Sequence, residues 1–111
     1  MLDQQRHPAD RPIDRTHLAR QTQGDAGLQR EVLQLFLAQA ASARGELANA
    51  DAKARRHLAH CLVGSARAVG AFALADGAAE LEAAPHSGAL VDRLVSLIEE
   101  VQAFASELLA S

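Results

Sequence analysis

Apolar residues recur along the chain at intervals of three and four, the period of amphipathic helices, and no segment reads as a strand. Residues 1–12 carry Gln, Arg, His, Asp and Pro with little to bury, and read as a loose N-terminal arm. From Ile13 the pattern changes. Asp14 or Thr16 can cap a short helix around Leu18, which Gly24 ends. Asp25 can cap a longer helix whose stripe is Leu28, Val32, Leu35, Phe36, Ala43 and Leu47. Asn49-Ala50-Asp51 interrupts it, and Asp51 is placed to cap a third helix from about Ala52 toward Gly70. A fourth, shorter helix continues to about Ala84 and stops before Pro85. Ser87 can cap the last, with Leu90, Leu94, Leu97, Ile98, Val101, Phe104 and Leu108 along its apolar side. The expected fold is all-α: an antiparallel four-helix bundle within residues 13–111, with the short N-terminal helix across one end.

Composition agrees. Alanine and leucine, 25 and 16 of the 111 residues, are strong helix formers, and aromatic residues are 3%. This argues against a β-sandwich, a barrel or an α/β nucleotide fold, and the length is that of one domain. A net charge of −3 offers no basic excess for nucleic acid. No apolar run reaches the roughly 18 residues a membrane span needs. Met1 to Arg11 has no apolar stretch of the secretory kind. The single cysteine, Cys61, is expected to be a reduced thiol, small and buried at the core edge, in a cytoplasmic protein.

The third helix carries the candidate chemistry. On a wheel at about 100° per residue, with His60 as zero, Leu58, Cys61, Leu62, Ser65, Val69 and Phe72 fall between about 100° and 200° and form the expected core stripe. Lys53, Arg56, Val63, Gly64 and Arg67 fall within about 60° of His60. His60 is thus expected to project into solvent, ringed by basic residues. Gly64 lies one turn beyond it on the same face, in a chain that uses alanine almost everywhere else it needs a small residue. A glycine inside an exposed helix costs roughly 1 kcal/mol relative to alanine. The gap it leaves would let a second protein bring a reactive group to the imidazole. The bland alternatives are a surface histidine, a packing glycine and a solvated basic face.

The run from His60 to Ala71, with Leu74, Ala78, Leu81 and Glu82, resembles the histidine-containing phosphotransfer (HPt) domain. The matching features are the histidine, an aliphatic residue two positions later (Leu62), Gly64, the small Ser65, Gly70-Ala71 and the Leu81-Glu82 pair. Ile13-Asp14, Leu18, Gly24-Asp25, Leu28, Val32 and Phe36 resemble the family's first two helices, so the likeness spans about residues 13–109.

The resemblance implies a phosphocarrier. His60 would receive a phosphoryl group from an aspartate of a response-regulator receiver domain and pass it to another receiver. Glu82 would orient the imidazole through Nδ1–H, leaving Nε2 as nucleophile. Ser65 would be a small buried packing residue. Val63 replaces the family's usual Lys; Arg67 or Arg56 could supply the missing charge, or Val63 could add an apolar docking contact. Docking candidates are Gly64, Val63, Ile13, Leu18, Leu33, Leu37 and Ala71, although Leu33 and Leu37 could equally pack beneath the first helix.

The implied partners are a receiver domain and a hybrid sensor histidine kinase, with no nucleic acid or membrane, and the chain would act as a monomer. It needs no cofactor of its own and no kinase or hydrolase machinery; Mg²⁺ would sit in the receiver. A metal shared by His57 and His60 lacks a third ligand at helical spacing, so no metal site is expected. The alternative function is a non-phosphorylated helical adaptor or inhibitor that docks on a receiver or kinase.

Overall fold

The structure, a computed structural model, describes residues 11–110. They form five helices: α1 (Arg15–Gln21), α2 (Ala26–Leu47), α3 (Ala52–Val69), α4 (Phe72–Ala83) and α5 (Gly88–Ala110). No strand occurs among the described residues. Most of the expected N-terminal arm lies outside them.

The helix starts are those the capping residues dictate. The Asp14 side chain accepts from the His17 N–H (3.1 Å), Asp25 from Leu28 (2.9 Å), Asp51 from Ala54 (2.8 Å) and Ser87 from Leu90 (3.2 Å). Gly70 ends α3 in the left-handed region, at φ +88°. Arg55 closes the other end of α2: its guanidinium donates to the carbonyls of Leu47 (3.0 Å), Ala48 (3.3 Å) and Pro85 (3.3 Å). It thereby satisfies carbonyls a helix terminus leaves open and ties the α4–α5 turn to the end of α2.

The core follows one spacing rule. Buried positions are Leu33, Phe36, Ala40, Ala43 and Leu47 on α2, Ala59, Leu62, Ala66 and Val69 on α3, and Val91, Leu94, Ile98, Val101 and Ala105 on α5. Ala71, Leu74, Ala78 and Leu81 continue the rule from the α3–α4 junction through α4. Each series alternates steps of three and four, the spacing of helices packed at shallow angles. α3 packs on α4, α4 on α5, and α2 on both α3 and α5, so the four long elements close a ring around this core; α1 packs on α3.

The rule corrects the two expected stripes. On α3 the buried centre is Ala59 and Ala66, which turns the stripe by about 70° from the one inferred from larger residues. Cys61 is exposed rather than buried, and Leu58, Ser65 and Phe72 are half-buried. On α2, Leu33 is core, whereas Leu28 and Leu35 are 42% and 73% exposed. Small alanines let neighbouring helices approach closely, so the deepest line of a helix need not follow its largest side chains.

Two further glycines report close approach. A Cβ at Gly70 would meet the Asp14 carbonyl oxygen at 2.8 Å, and the Gly70 carbonyl accepts from the Asp14 N–H at 2.9 Å. This contact draws the start of α1 onto the end of α3 and buries Ile13 and Leu18. A Cβ at Gly77 would meet Leu97 Cδ1 at 2.5 Å, where α4 packs on α5.

Candidate functional site

α3 presents His60 to solvent because Ala59, the residue before it, belongs to the buried seam. The His60 side chain is 73% exposed. α4 supplies its one partner. Leu81 is in the core, and the next residue, Glu82, stands at the half-buried edge facing α3. The Glu82 Oε2 atom lies 2.9 Å from His60 Nδ1. A carboxylate only accepts, so Nδ1 carries the proton, and in neutral imidazole the free lone pair is then on Nε2. The ring is held at one nitrogen and left open at the other.

One turn along α3, Gly64 is exposed, and a Cβ added there would meet nothing within 4 Å. No neighbour among the described residues requires the glycine. This is the opposite of Gly70 and Gly77, where the absence of a side chain is what lets two elements touch. The surface one turn beyond His60 on α3 therefore carries no side chain at that position.

Lys53, Arg56 and Arg67 are exposed, as expected for the His60 face. The side chains of Arg56 and Arg67 make no hydrogen bond or ion pair among the described residues, so both guanidiniums are available. Val63 and Leu37 are half-buried and pack against the core, with part of each surface left open.

Four expected docking residues do not reach the surface. Ile13 (0%), Leu18 (2%), Leu33 (4%) and Ala71 (0%) are buried. The Asp14–Gly70 contact turns the apolar side of α1 inward, and the three-four seam claims Leu33 and Ala71. The exposed apolar surface near the histidine is elsewhere. Leu35 and Val32 on α2, with Ser65 and Ala68 on α3, line a groove of about 220 Å³. Ser65 and Ala68 lie about 8 and 12 Å along the axis from His60 at 1.5 Å per residue. Sequence reasoning missed this groove by assigning Leu35 to the core; the uninterrupted series Leu33, Phe36, Ala40, Ala43, Leu47 was the signal that displaces it.

His57 and His60 make different contacts. The His57 Nε2 lies 3.8 Å from the Cys61 Sγ, while His60 Nδ1 is engaged by Glu82. Among the described residues no group of three or more His, Cys, Asp and Glu is arranged to hold a metal ion, and no helix is long and apolar enough to cross a membrane.

A family model described as the Hpt domain matches residues 31–104, about two thirds of the chain. The match takes in α3 and α4 whole, α2 from Glu31 and α5 as far as Phe104. No curated protein and no solved structure matches the chain.

Proposed function

Since the chain belongs to the Hpt domain family, we propose that it carries a phosphoryl group on His60 between receiver-domain aspartates of a phosphorelay. The observation that carries the assignment to His60 is the 2.9 Å contact of its Nδ1 with Glu82 on an otherwise exposed ring. In the proposed step, the Nε2 lone pair attacks the phosphorus of a receiver aspartyl phosphate. The N–P bond forms as the P–O bond to the aspartate breaks, and the aspartate leaves as a carboxylate. As the ring acquires positive character, the Glu82 carboxylate at Nδ1–H offsets it. Glu82 is a positioning residue and does not touch the phosphoryl group.

The remaining requirements fall to the partner. The receiver supplies the aspartyl phosphate, its Mg²⁺ and the charges that stabilise the transferring group. This chain supplies a nucleophile held on a rigid helix and, at Gly64, room for in-line approach. We assign it no cofactor and no kinase or hydrolase activity. A hybrid sensor kinase is the proposed source of phosphate upstream. The same reading takes the ring of α2 to α5 as the antiparallel four-helix bundle that short connections favour, working as a monomer in the cytoplasm.

With Ile13, Leu18, Leu33 and Ala71 buried, the docking surface runs instead over Gly64 and the open part of Val63, and Leu37, on the side of α2 whose Arg30 and Arg44 bond to α5, falls outside it. The surface extends into the groove lined by Leu35 and Ala68. Leu35 is the most exposed large apolar side chain of the described residues, as expected of a residue that a partner covers.

The test is incubation with a phosphorylated receiver. Acid-labile, base-stable phosphate should appear on this chain and be absent from a His60→Gln variant. Binding of the receiver without phosphate transfer would replace this reading by that of an adaptor or inhibitor.

A further inference from the structure

A second recess, of about 640 Å³, opens between α1, the first turns of α2 and the end of α5; α3 contributes nothing to it. Its floor is buried Leu18 and Leu33, extended by half-buried Leu109. Arg11, Arg15 and Arg30 stand exposed along its rim. Among the described residues no Asp or Glu lines it. In a chain of net charge −3, three guanidiniums without a described carboxylate in one cleft run against the average. The side chains of Arg11 and Arg15 make no hydrogen bond or ion pair among the described residues. Arg30 donates to the Leu109 carbonyl at 2.8 Å, which fixes its guanidinium beside the end of α5 and leaves further N–H donors.

The volume is in the range that holds a small molecule, and a leucine floor with a few polar groups at the edge is the usual composition of such sites. The guanidinium fork matches a carboxylate or a phosphate. We propose that this cleft binds an anionic amphiphile, with a carboxylate or phosphate head among Arg11, Arg15 and Arg30 and an apolar body over exposed Ala26 and half-buried Ala19, Leu108 and Leu109. The proposal does not depend on phosphotransfer at His60.

The test titrates the full chain with decanoate, decyl phosphate and decyltrimethylammonium below their micelle-forming concentrations, followed by calorimetry and backbone amide spectra. Decanoate and decyl phosphate should saturate one site and shift the signals of Leu18, Leu33 and Leu109. The cationic analogue should bind at least about tenfold more weakly. Arg15→Gln should weaken decanoate a few-fold, and Arg11→Gln with Arg15→Gln about fivefold to tenfold, in keeping with exposed charge pairs, with the circular dichroism unchanged. Co-sedimentation with phosphatidylglycerol vesicles but not phosphatidylcholine vesicles, lost in the double variant, would place the amphiphile in a lipid surface. Decanoate binding without vesicle binding would make it a free ligand. Equal affinity for decyltrimethylammonium, an unchanged affinity in the double variant, or shifts centred on the groove between α2 and α3 would overturn the proposal.

Discussion

Gly64 and Gly70 stand six residues apart, the first within α3 and the second at its end, and they meet opposite surroundings. A Cβ at Gly64 would meet nothing within 4 Å among the described residues. At Gly70 the backbone is left-handed and the Asp14 backbone presses against the space a side chain would take. One glycine is explained by the fold. The other, like Gly45 in α2, is not required by packing among the described residues, and the proposed role of His60 gives it a use as clearance for a partner. The same contrast separates the ends of α3 generally: its last turn is fixed by α1 and α4, and its middle turn faces outward.

The largest expected effect is on transfer itself. His60→Gln should abolish phosphate acceptance while changing stability by less than about 0.5 kcal/mol, because the side chain is exposed. Transfer time courses and thermal melts check the two halves together. A variant that still takes up label at the wild-type rate would remove His60 from the site.

Next is the structural glycine. Gly70→Ala should destabilise by about 2–4 kcal/mol, from a positive φ and a backbone contact that cannot yield without breaking the Asp14–Gly70 hydrogen bond. The melting temperature should fall by about 10 °C or more. Gly64→Ala, the same chemical change, should raise stability by up to about 1 kcal/mol through helix propensity. Melts of the pair that move in the same direction would break the contrast.

Gly64→Leu sharpens it on the functional side. The fold should tolerate the leucine, and transfer should slow at least about tenfold, roughly 1.4 kcal/mol of barrier, because the side chain occupies the approach to Nε2. Unimpaired transfer would mean that Gly64 serves something other than clearance.

The smallest effect tests the replacement of the family's lysine by Val63. A phosphoryl group on His60 gains negative charge in mid-helix, where no terminal dipole meets it. Arg67 can reach back over the bare Gly64 surface. Arg67→Ala should slow transfer a few-fold, about 0.5–1 kcal/mol for an exposed contact. Adding Val63→Lys should restore it, and raised salt should shrink the difference. No loss in Arg67→Ala leaves Arg56 or Lys53 as the remaining cations on that face.

The chain by itself determined the helices and the outward face of α3. Asp14, Asp25, Asp51 and Ser87 act locally on the N–H groups a few residues ahead, and Gly70 ends α3 through its own backbone freedom, whereas α1 stops at Gln21 and Gln23 takes the first left-handed position before Gly24. Periodicity placed His60 and Gly64 away from the core, since a stripe misplaced by about 70° is too small an error to turn an outward face inward. Only the tertiary structure decided which line of each helix goes deepest. Alanine fits a close helix pair and an exposed surface equally well, so a wheel weighted by Leu and Phe put Cys61 inside and Leu35 in the core. The true seam is drawn by Ala40, Ala43, Ala59 and Ala66 meeting their neighbours. Tertiary structure likewise decided the docking surface. The Asp14–Gly70 contact, between residues far apart in the chain, turns Ile13 and Leu18 inward. The pairing of His60 with Glu82 was legible only through family resemblance, because nothing local in α3 or α4 sets the rotation that brings their side chains to 2.9 Å. That rotation is fixed by packing across the whole ring, where helices settle into the register that buries the most apolar surface at the closest approach.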